Sequence, residues 1–333
     1  MRRSLAAAVV TSGLCAAVLS AAVASSAPTS AAEPSRHSSG GKASAGTAAN
    51  SRLATAFAAT TRSTTWRLAQ RLPLRFPTHH PQGFALVGDR IFMSTVEIAE
   101  PTVRFPAPVD GLDRSPGKGV GHVLVLDRLG NLLRDIVLGE GDIYHPGGID
   151  FDGRTVWVPV AEYRPGSRSI VYALDPTSLV AREAFRVDDH IGGVVRDPRT
   201  GRIHGVSWGS RTEYTWTPEG RELDARANPS HLVDYQDCAY VAVGKQLCSG
   251  VTILPGPGGT RYELGGLALK DLKDGRILHE IPFPYFSAAG HTATRNPVAL
   301  ETSGTVLRLF AAPDDGGEVA GTELLVYETR IPG

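Results

Sequence analysis

The chain has no excess of charge of either sign. Lys and Arg together number 34, as do Asp and Glu, and no basic run occurs. A nucleic-acid surface needs a clustered positive footprint, so that class of partner is excluded. Three chemical signatures are also missing: the Gly-rich phosphate loop, the Gly-x-Ser-x-Gly elbow and the His-Glu-x-x-His helix. Their absence removes the most familiar nucleotide, serine-hydrolase and zinc-protease readings. Cysteine is scarce. Of three, Cys15 lies in an N-terminal targeting segment, which leaves Cys238 and Cys248 and allows one disulfide at most.

What is present suits a turn-rich, closed β fold. Gly numbers 37 and Pro 23, and apolar residues make up 42%, enough for a full core. Residues 1–27 read as a secretory signal, with Arg2 and Arg3 as the basic end and Ala22-Val23-Ala24 as a small-residue cleavage site. The alternative is an uncleaved anchor, which its Ala and Ser content disfavours. Residues 28–63 are rich in Ala, Ser, Gly and Thr and read as a flexible linker, with a short helical run at 51–59. Residues 64–333 form the folded domain. The chain is expected to be a secreted monomer, off the membrane once the signal is cleaved.

From residue 64 the pattern is β. Trp66 to Leu74 alternates apolar and polar residues with period two. A five-residue opening then recurs: His80-Pro81-Gln82-Gly83-Phe84, His145-Pro146-Gly147-Gly148-Ile149 and His190-Ile191-Gly192-Gly193-Val194. Weaker copies begin at Gln236 and Asn296. The starts are 65, 45, 46 and 60 residues apart. Forty-five residues make one four-stranded propeller blade. The two long intervals hold insertions at 99–120 and 254–264, the first Pro-rich and placed as a lid or rim. Turn signals divide each unit into strands, and the last unit lacks its outermost one. The Trp66–Leu74 strand supplies it. The expected fold is therefore all-β, a five-bladed β-propeller closed by an N-terminal strand, with a six-bladed form as the alternative. Cys238 and Cys248 flank a hairpin turn at Gly244-Lys245, a placement compatible with a disulfide in an exported protein.

The first residue of each copy stands where the chain enters an innermost strand, so His80, His145, His190, Gln236 and Asn296 are expected to converge at the top of the central channel. Three neutral imidazoles are a ligand set for a divalent metal such as zinc, with Gln236 and Asn296 orienting water or substrate. The bland reading is that these histidines only bond neighbouring loops. Glu97 and Glu162 each follow their histidine by 17 residues and fall at equivalent places in adjacent blades. Glu162, Tyr163 and Arg164 are candidates for moving protons and clamping a carboxylate; Glu97, Trp208 and Arg211 are candidates for contacting substrate. His79 and His291 are near the ring but out of register. His122, His204, His231 and His279 fall in outer strands or loops, where a structural role is expected.

The repeated His-Pro-x-Gly openings resemble those of secreted bacterial propeller proteins of a family without assigned function. A looser likeness is to propeller lyases and lactonases, including the amidating lyase that holds an axial zinc through three histidines from different blades. That likeness implies His80, His145 and His190 as metal ligands, with Tyr163 and Arg164 as the nearest match to its Tyr and Arg. Two functions follow as expectations. One is an extracellular metal-dependent lyase or hydrolase acting on a small polar substrate at the top of the channel. The other is a propeller that binds a glycan, peptide or cell-wall component without chemistry.

Overall fold

The computed structural model describes residues 51–318 and 321–331. The segment read as a signal, and the linker up to residue 50, lie outside the described residues.

Five four-stranded antiparallel sheets follow one another along the chain. Blade 1 is His80–Val87, Arg90–Glu100, Lys118–Asp127 and Leu132–Leu138. Blade 2 opens with Ile143–Pro146, resumes after a break as Asp150–Phe151, and continues through Val156–Glu162, Ser169–Leu174 and Ala181–Val187. Blade 3 is Ile191–Arg196, Ile203–Ser207, Thr212–Trp216 and Glu222–Ala227. Blade 4 is Asp234–Ala242, Lys245–Pro255, Arg261–Asp271 and Ile277–Pro282. Blade 5 takes three strands from the C-terminal part, Val298–Ser303, Val306–Ala311 and Glu323–Arg330. Its outermost strand is Arg67–Pro73, antiparallel to Glu323–Arg330, with Arg71 opposite Leu325. The ring is closed as the alternation at Trp66–Leu74 requires.

The same period of two builds the seams. In a blade, neighbouring residues point to opposite faces, so each strand feeds two cores. Phe84 joins the cluster between blades 1 and 5, and Ala85 joins the one between blades 1 and 2. Val194 and Val195 divide in the same way between the seams of blade 3. Five apolar clusters result, one for each pair of adjacent blades. The Cys238–Cys248 disulfide joins directly opposed residues of two blade-4 strands, with Cα atoms 4.0 Å apart.

The insertions do not make a sixth blade. Between Glu100 and Lys118 stands a two-stranded hairpin, Arg104–Val109 with Leu112–Arg114. In blade 4 the second and third strands simply run on, from Leu254–Tyr262 to Pro255–Arg261, and close through a short turn. The linker expectation also needs correction. Residues 51–58 are helical, and Leu53, Ala54, Ala56 and Phe57 are buried in the cluster between blades 4 and 5. Phe57 meets the His279 ring edge-on at 5.4 Å, and His279 Nε2 donates to the Thr60 carbonyl at 2.8 Å. Leu53 and Phe57 are four residues apart and so lie on one helical face. Composition hid that face among alanines.

The axis is not an open channel. The inner strands of blades 1, 2 and 3 bring glycines to the centre, and the backbones meet there. Gly148 and Gly193 form a parallel bridge, and Gly148 N donates to Gly192 O at 2.8 Å. A Cβ on Gly148 would lie 2.5 Å from the Gln236 carbonyl, and one on Gly83 would lie 2.6 Å from Ile149 N. Asp237 closes the remaining gap. Its Oδ2 accepts from Phe84 N at 2.7 Å and Val298 N at 3.2 Å, and its Oδ1 accepts from Ile149 N at 3.2 Å. One blade-4 carboxylate thus satisfies amides of blades 1, 5 and 2. Asp150 answers from blade 2, accepting from Tyr240 N at 3.0 Å and Arg196 N at 3.3 Å.

Phe57→Ala is expected to lower unfolding free energy by about 3–5 kcal/mol in urea melts, while removal of residues 1–74 leaves the third strand of blade 5 as an unpaired edge and produces aggregation, read by light scattering. Burial lifts the Asp150 carboxyl to about 7 against its two amide bonds. A folded-state value above the unfolded one stabilises fully at low pH, and the contribution is lost as pH rises from about 4 through 7. Asp150→Asn is therefore expected to flatten the fall in stability between pH 5 and pH 8 relative to the native chain.

Candidate functional site

Above this plug the three histidine openings place their side chains side by side. The His80 and His145 ring centroids are 6.4 Å apart, and those of His145 and His190 are 5.7 Å apart. Register explains the common height: His80 pairs with Val96 and His145 with Ala161, equivalent places in blades 1 and 2.

Hydrogen bonds fix two of the rings. His190 Nδ1 donates to the Glu162 carbonyl at 2.8 Å. His80 Nδ1 lies 2.6 Å from Asp315 Oδ1. In both rings Nε2 is left without a hydrogen-bond partner, the arrangement in which a second group orients a ligating imidazole. His145 lies between them and differs. Both its nitrogens are buried, and neither has a hydrogen-bond partner. Burial, then the charges of His190 and His80, hold its pKa well below the usual value. Burial likewise brings His190 down to about 4, against the bond to Glu162. Both are therefore neutral imidazoles at neutral pH, the form that ligates metals.

Aromatic groups wall the other side. Tyr163 stacks on His145 at 4.0 Å with the planes 14° apart. Trp208 stands edge-on to His190 at 4.7 Å and lies 5.7 Å from Tyr163. Burial raises the Tyr163 pKa, with Asp315 adding to the shift and Arg114 and Arg295 opposing it. Tyr163 is thus held in its protonated form. Arg114 lies 5.0 Å over the Trp208 ring. It comes from the hairpin inserted in blade 1, which reaches across blade 2: Tyr144 donates to Pro116 O at 2.6 Å, and Arg164 to Arg114 O at 3.5 Å. This is the rim expected from the Pro-rich insertion.

Other expected site residues are occupied elsewhere. The Glu162 carboxylate is 1% exposed and pairs with Arg164, and with Arg168 at 2.7 Å. A register shift between Ala161 and Glu162 separates it from the ring. Only its carbonyl serves the site, and its buried carboxylate pairs with part-buried Arg164 to hold the loop. Glu97 is half exposed, 3.9 Å from His122 Nε2 on the face of blade 1. Arg211 pairs with Asp234 at 2.9 Å and donates to the Gly209 and Ser230 carbonyls. Gln236 bonds its own strand, donating to Asp234 O at 3.4 Å, and Asn296 donates to Pro313 O at 3.5 Å. Sequence reasoning missed Arg114, Asp315 and Arg295. Asp315 lies in an Asp-Asp-Gly-Gly run whose composition is that of a turn, and nothing in the sequence says where a long insertion folds back.

The histidine row is close but not a closed cage. Three ligand atoms from different residues come within 4.8 Å of one another in two places among the described residues, His79–Glu97–His122 and His291–Asp314–Glu318. The axial trio is not among them. Its members are ligand-type groups, two imidazoles with one nitrogen anchored flanking a third with no partner, but their ligand atoms do not all lie within 4.8 Å of one another.

Glu162→Gln is expected to cost about 1–3 kcal/mol in urea melts, because it leaves part-buried Arg164 without its counter-charge. Glu97→Gln at the corresponding exposed position is expected to change stability by less than about 0.5 kcal/mol in metal-free buffer.

Among the described residues no helix is long and apolar enough to cross a membrane. No curated protein matches the sequence. Among solved structures, the chain is similar to a luciferin-regenerating enzyme at 10% identity and TM-score 0.44, over 81% of this chain and 96% of that one. It is also similar to the tail fiber of Staphylococcus aureus phage P68 at 8% identity and TM-score 0.44, over 82% and 54%. The WD40 domain of Toxoplasma gondii coronin matches at 9% identity and TM-score 0.38, over 82% and 88%. Likenesses this distant carry no argument about function. A family profile, in contrast, matches residues 43–331, and the chain belongs to that family, DUF6454, a family of unknown function.

Proposed function

We propose that this propeller is a secreted, metal-dependent lyase or hydrolase whose small polar substrate binds on the top face, above the closed axis. The observation that carries the reading is His145: a neutral, buried imidazole with both nitrogens unpartnered, between two rings whose Nε2 atoms are free. Buried polar groups without partners are uncommon and call for a bound group. His80, His145 and His190 would hold a divalent ion of the zinc class. When bound, such an ion polarises a carbonyl and acidifies water. The protein's own residues do the rest. Asp315 and the Glu162 carbonyl keep His80 and His190 in one tautomer. Tyr163 is a protonated phenol beside the row and is placed to donate to a leaving group. Arg114 and Trp208 form the rim against which a polar, partly planar substrate packs.

A second reading is favoured by Trp208, which stays half-buried at the rim with a guanidinium over its face. In that reading the same surface binds a glycan or peptide and performs no chemistry.

The test is zinc titration by calorimetry on chelator-stripped protein without a histidine tag. His145→Ala is expected to take up one equivalent fewer than the native chain. Equal uptake would remove the enzyme reading and leave the binding one. Tyr163→Phe is expected to preserve uptake and to slow cleavage of an ester or lactone substrate by at least about 100-fold.

A further inference from the structure

Both places where three ligand atoms converge lie outside the axial row, and they differ in one respect. At the His291 cluster the imidazole is already used: Nδ1 bonds Glu263 at 3.0 Å and Nε2 bonds Glu318 at 2.9 Å. Arg295 adds its charge within 4.0 Å of Glu263, Asp315 and Glu318. Asp314 Oδ2 and Glu318 Oε2 are buried there without partners, but both nitrogens of the only imidazole in the cluster are taken, so His291 offers none to an ion.

At the other cluster an imidazole nitrogen is left without a partner. His122 is directly opposite Thr95 in the sheet of blade 1, and Glu97 is two residues further along the Thr95 strand. Side chains two apart share a face, so the imidazole of His122 and the carboxylate of Glu97 stand on the same side. His79 enters that face from the segment leading into the innermost strand, its ring stacked on His122 with centroids 5.0 Å apart and planes 15° apart. The Gly316 amide donates to the His79 carbonyl at 2.7 Å and ties this segment to blade 5. One ligand atom each from His79, Glu97 and His122 lies within 4.8 Å of the others. His122 gives the independent sign of a ligand. Its side chain is 9% exposed, its Nε2 is buried without any hydrogen-bond partner, and the nearest carboxylate oxygen, on Glu97, is 3.9 Å away. Its Nδ1, on the far side, lies 2.9 Å from Asp135. The carboxylate accepts the hydrogen bond of Nδ1, and Nε2 is left facing the cluster.

We propose that His79, Glu97 and His122 bind a divalent transition-metal ion of the zinc class, with Asp135 as the hydrogen-bond partner that orients His122. Two imidazoles and one carboxylate are a zinc ligand set that leaves a position for solvent. The half-exposed Glu97 side chain puts that position at the surface. The oxygen-only sets that suit calcium and magnesium are absent. The ion would join the second and third strands of blade 1 to the segment that carries His80 one residue later, independently of anything bound to the axial row.

The experiment separates this site from the axial one. In a His145→Ala background, stripped protein titrated with zinc is expected to bind one equivalent. Adding His122→Ala or Glu97→Gln is expected to abolish that equivalent, and adding Asp135→Asn to weaken it by about 10–100-fold. Glu97 is at the surface, so Glu97→Gln keeps the fold even where His122→Ala disturbs it; far-UV circular dichroism verifies this. No zinc uptake in the His145→Ala chain, or uptake unchanged by Glu97→Gln, would overturn the proposal. Loss of zinc on His145→Ala with the second equivalent retained would support both sites; retention of both equivalents would sink only the axial one.

Discussion

Asp237 is the point at which the five blades are held to one another. A blade binds its neighbours through apolar seams, and apolar contact is non-directional, so it does not by itself decide how far the blades close around the axis. Three amides from blades 1, 2 and 5 converge where no water-filled channel is left to serve them. An unpaired buried amide costs on the order of 1–3 kcal/mol, so a single acceptor reaching all three sets the closure. Burial pushes the Asp237 carboxyl well above its usual range, the three amide donors oppose that shift, and Asp150 adds to it. The axis is a hydrogen-bonded plug of backbone around two carboxyls.

The glycines are the condition for this. Gly83, Gly147 and Gly148 lie where another residue's Cβ would meet backbone of the next strand at less than 3 Å. With the channel sealed, everything that can bind a ligand is moved to the top. The histidines that precede these glycines are lifted onto the plug, and the hairpin from blade 1 folds over them. The same closure explains why Gln236 and Asn296 serve their own blade instead of the ring. In the fourth copy the strand shifts register between Tyr235 and Asp237, so the side chain delivered to the axis is Asp237.

The histidines divide by what surrounds them. His190 and His80 have one nitrogen anchored; His145 has none; His291 has both. His122, read from sequence as an outer-strand residue with a structural role, has its Nδ1 anchored by Asp135 and its Nε2 turned towards Glu97. Sequence position gives no access to this distinction, because it depends on whether a carbonyl or carboxylate from another strand arrives at one imidazole nitrogen. The pair of Glu97 and Glu162 makes the same point. Equal spacing from a histidine puts both at equivalent places, yet one carboxylate is half in solvent and the other is enclosed by two arginines after a local register shift.

What the sequence determined by itself is the architecture. The repeat at His80, His145, His190, Gln236 and Asn296, the turn signals between them and the alternating Trp66–Leu74 strand specify five blades and their closure, because strand period and turn chemistry are local properties of the chain. The opposed cysteines were legible for the same reason, being ten residues apart across one hairpin. The helix at residues 51–58 could be read, but not its burial, since docking depends on a seam made by residues far away in sequence. Only the tertiary structure decided that the axis is sealed, that Arg114 crosses to Trp208, that Asp315 reaches His80, and that His79, Glu97 and His122 meet. Each of these is a contact between blades or across an insertion, and its geometry is set by the ring as a whole.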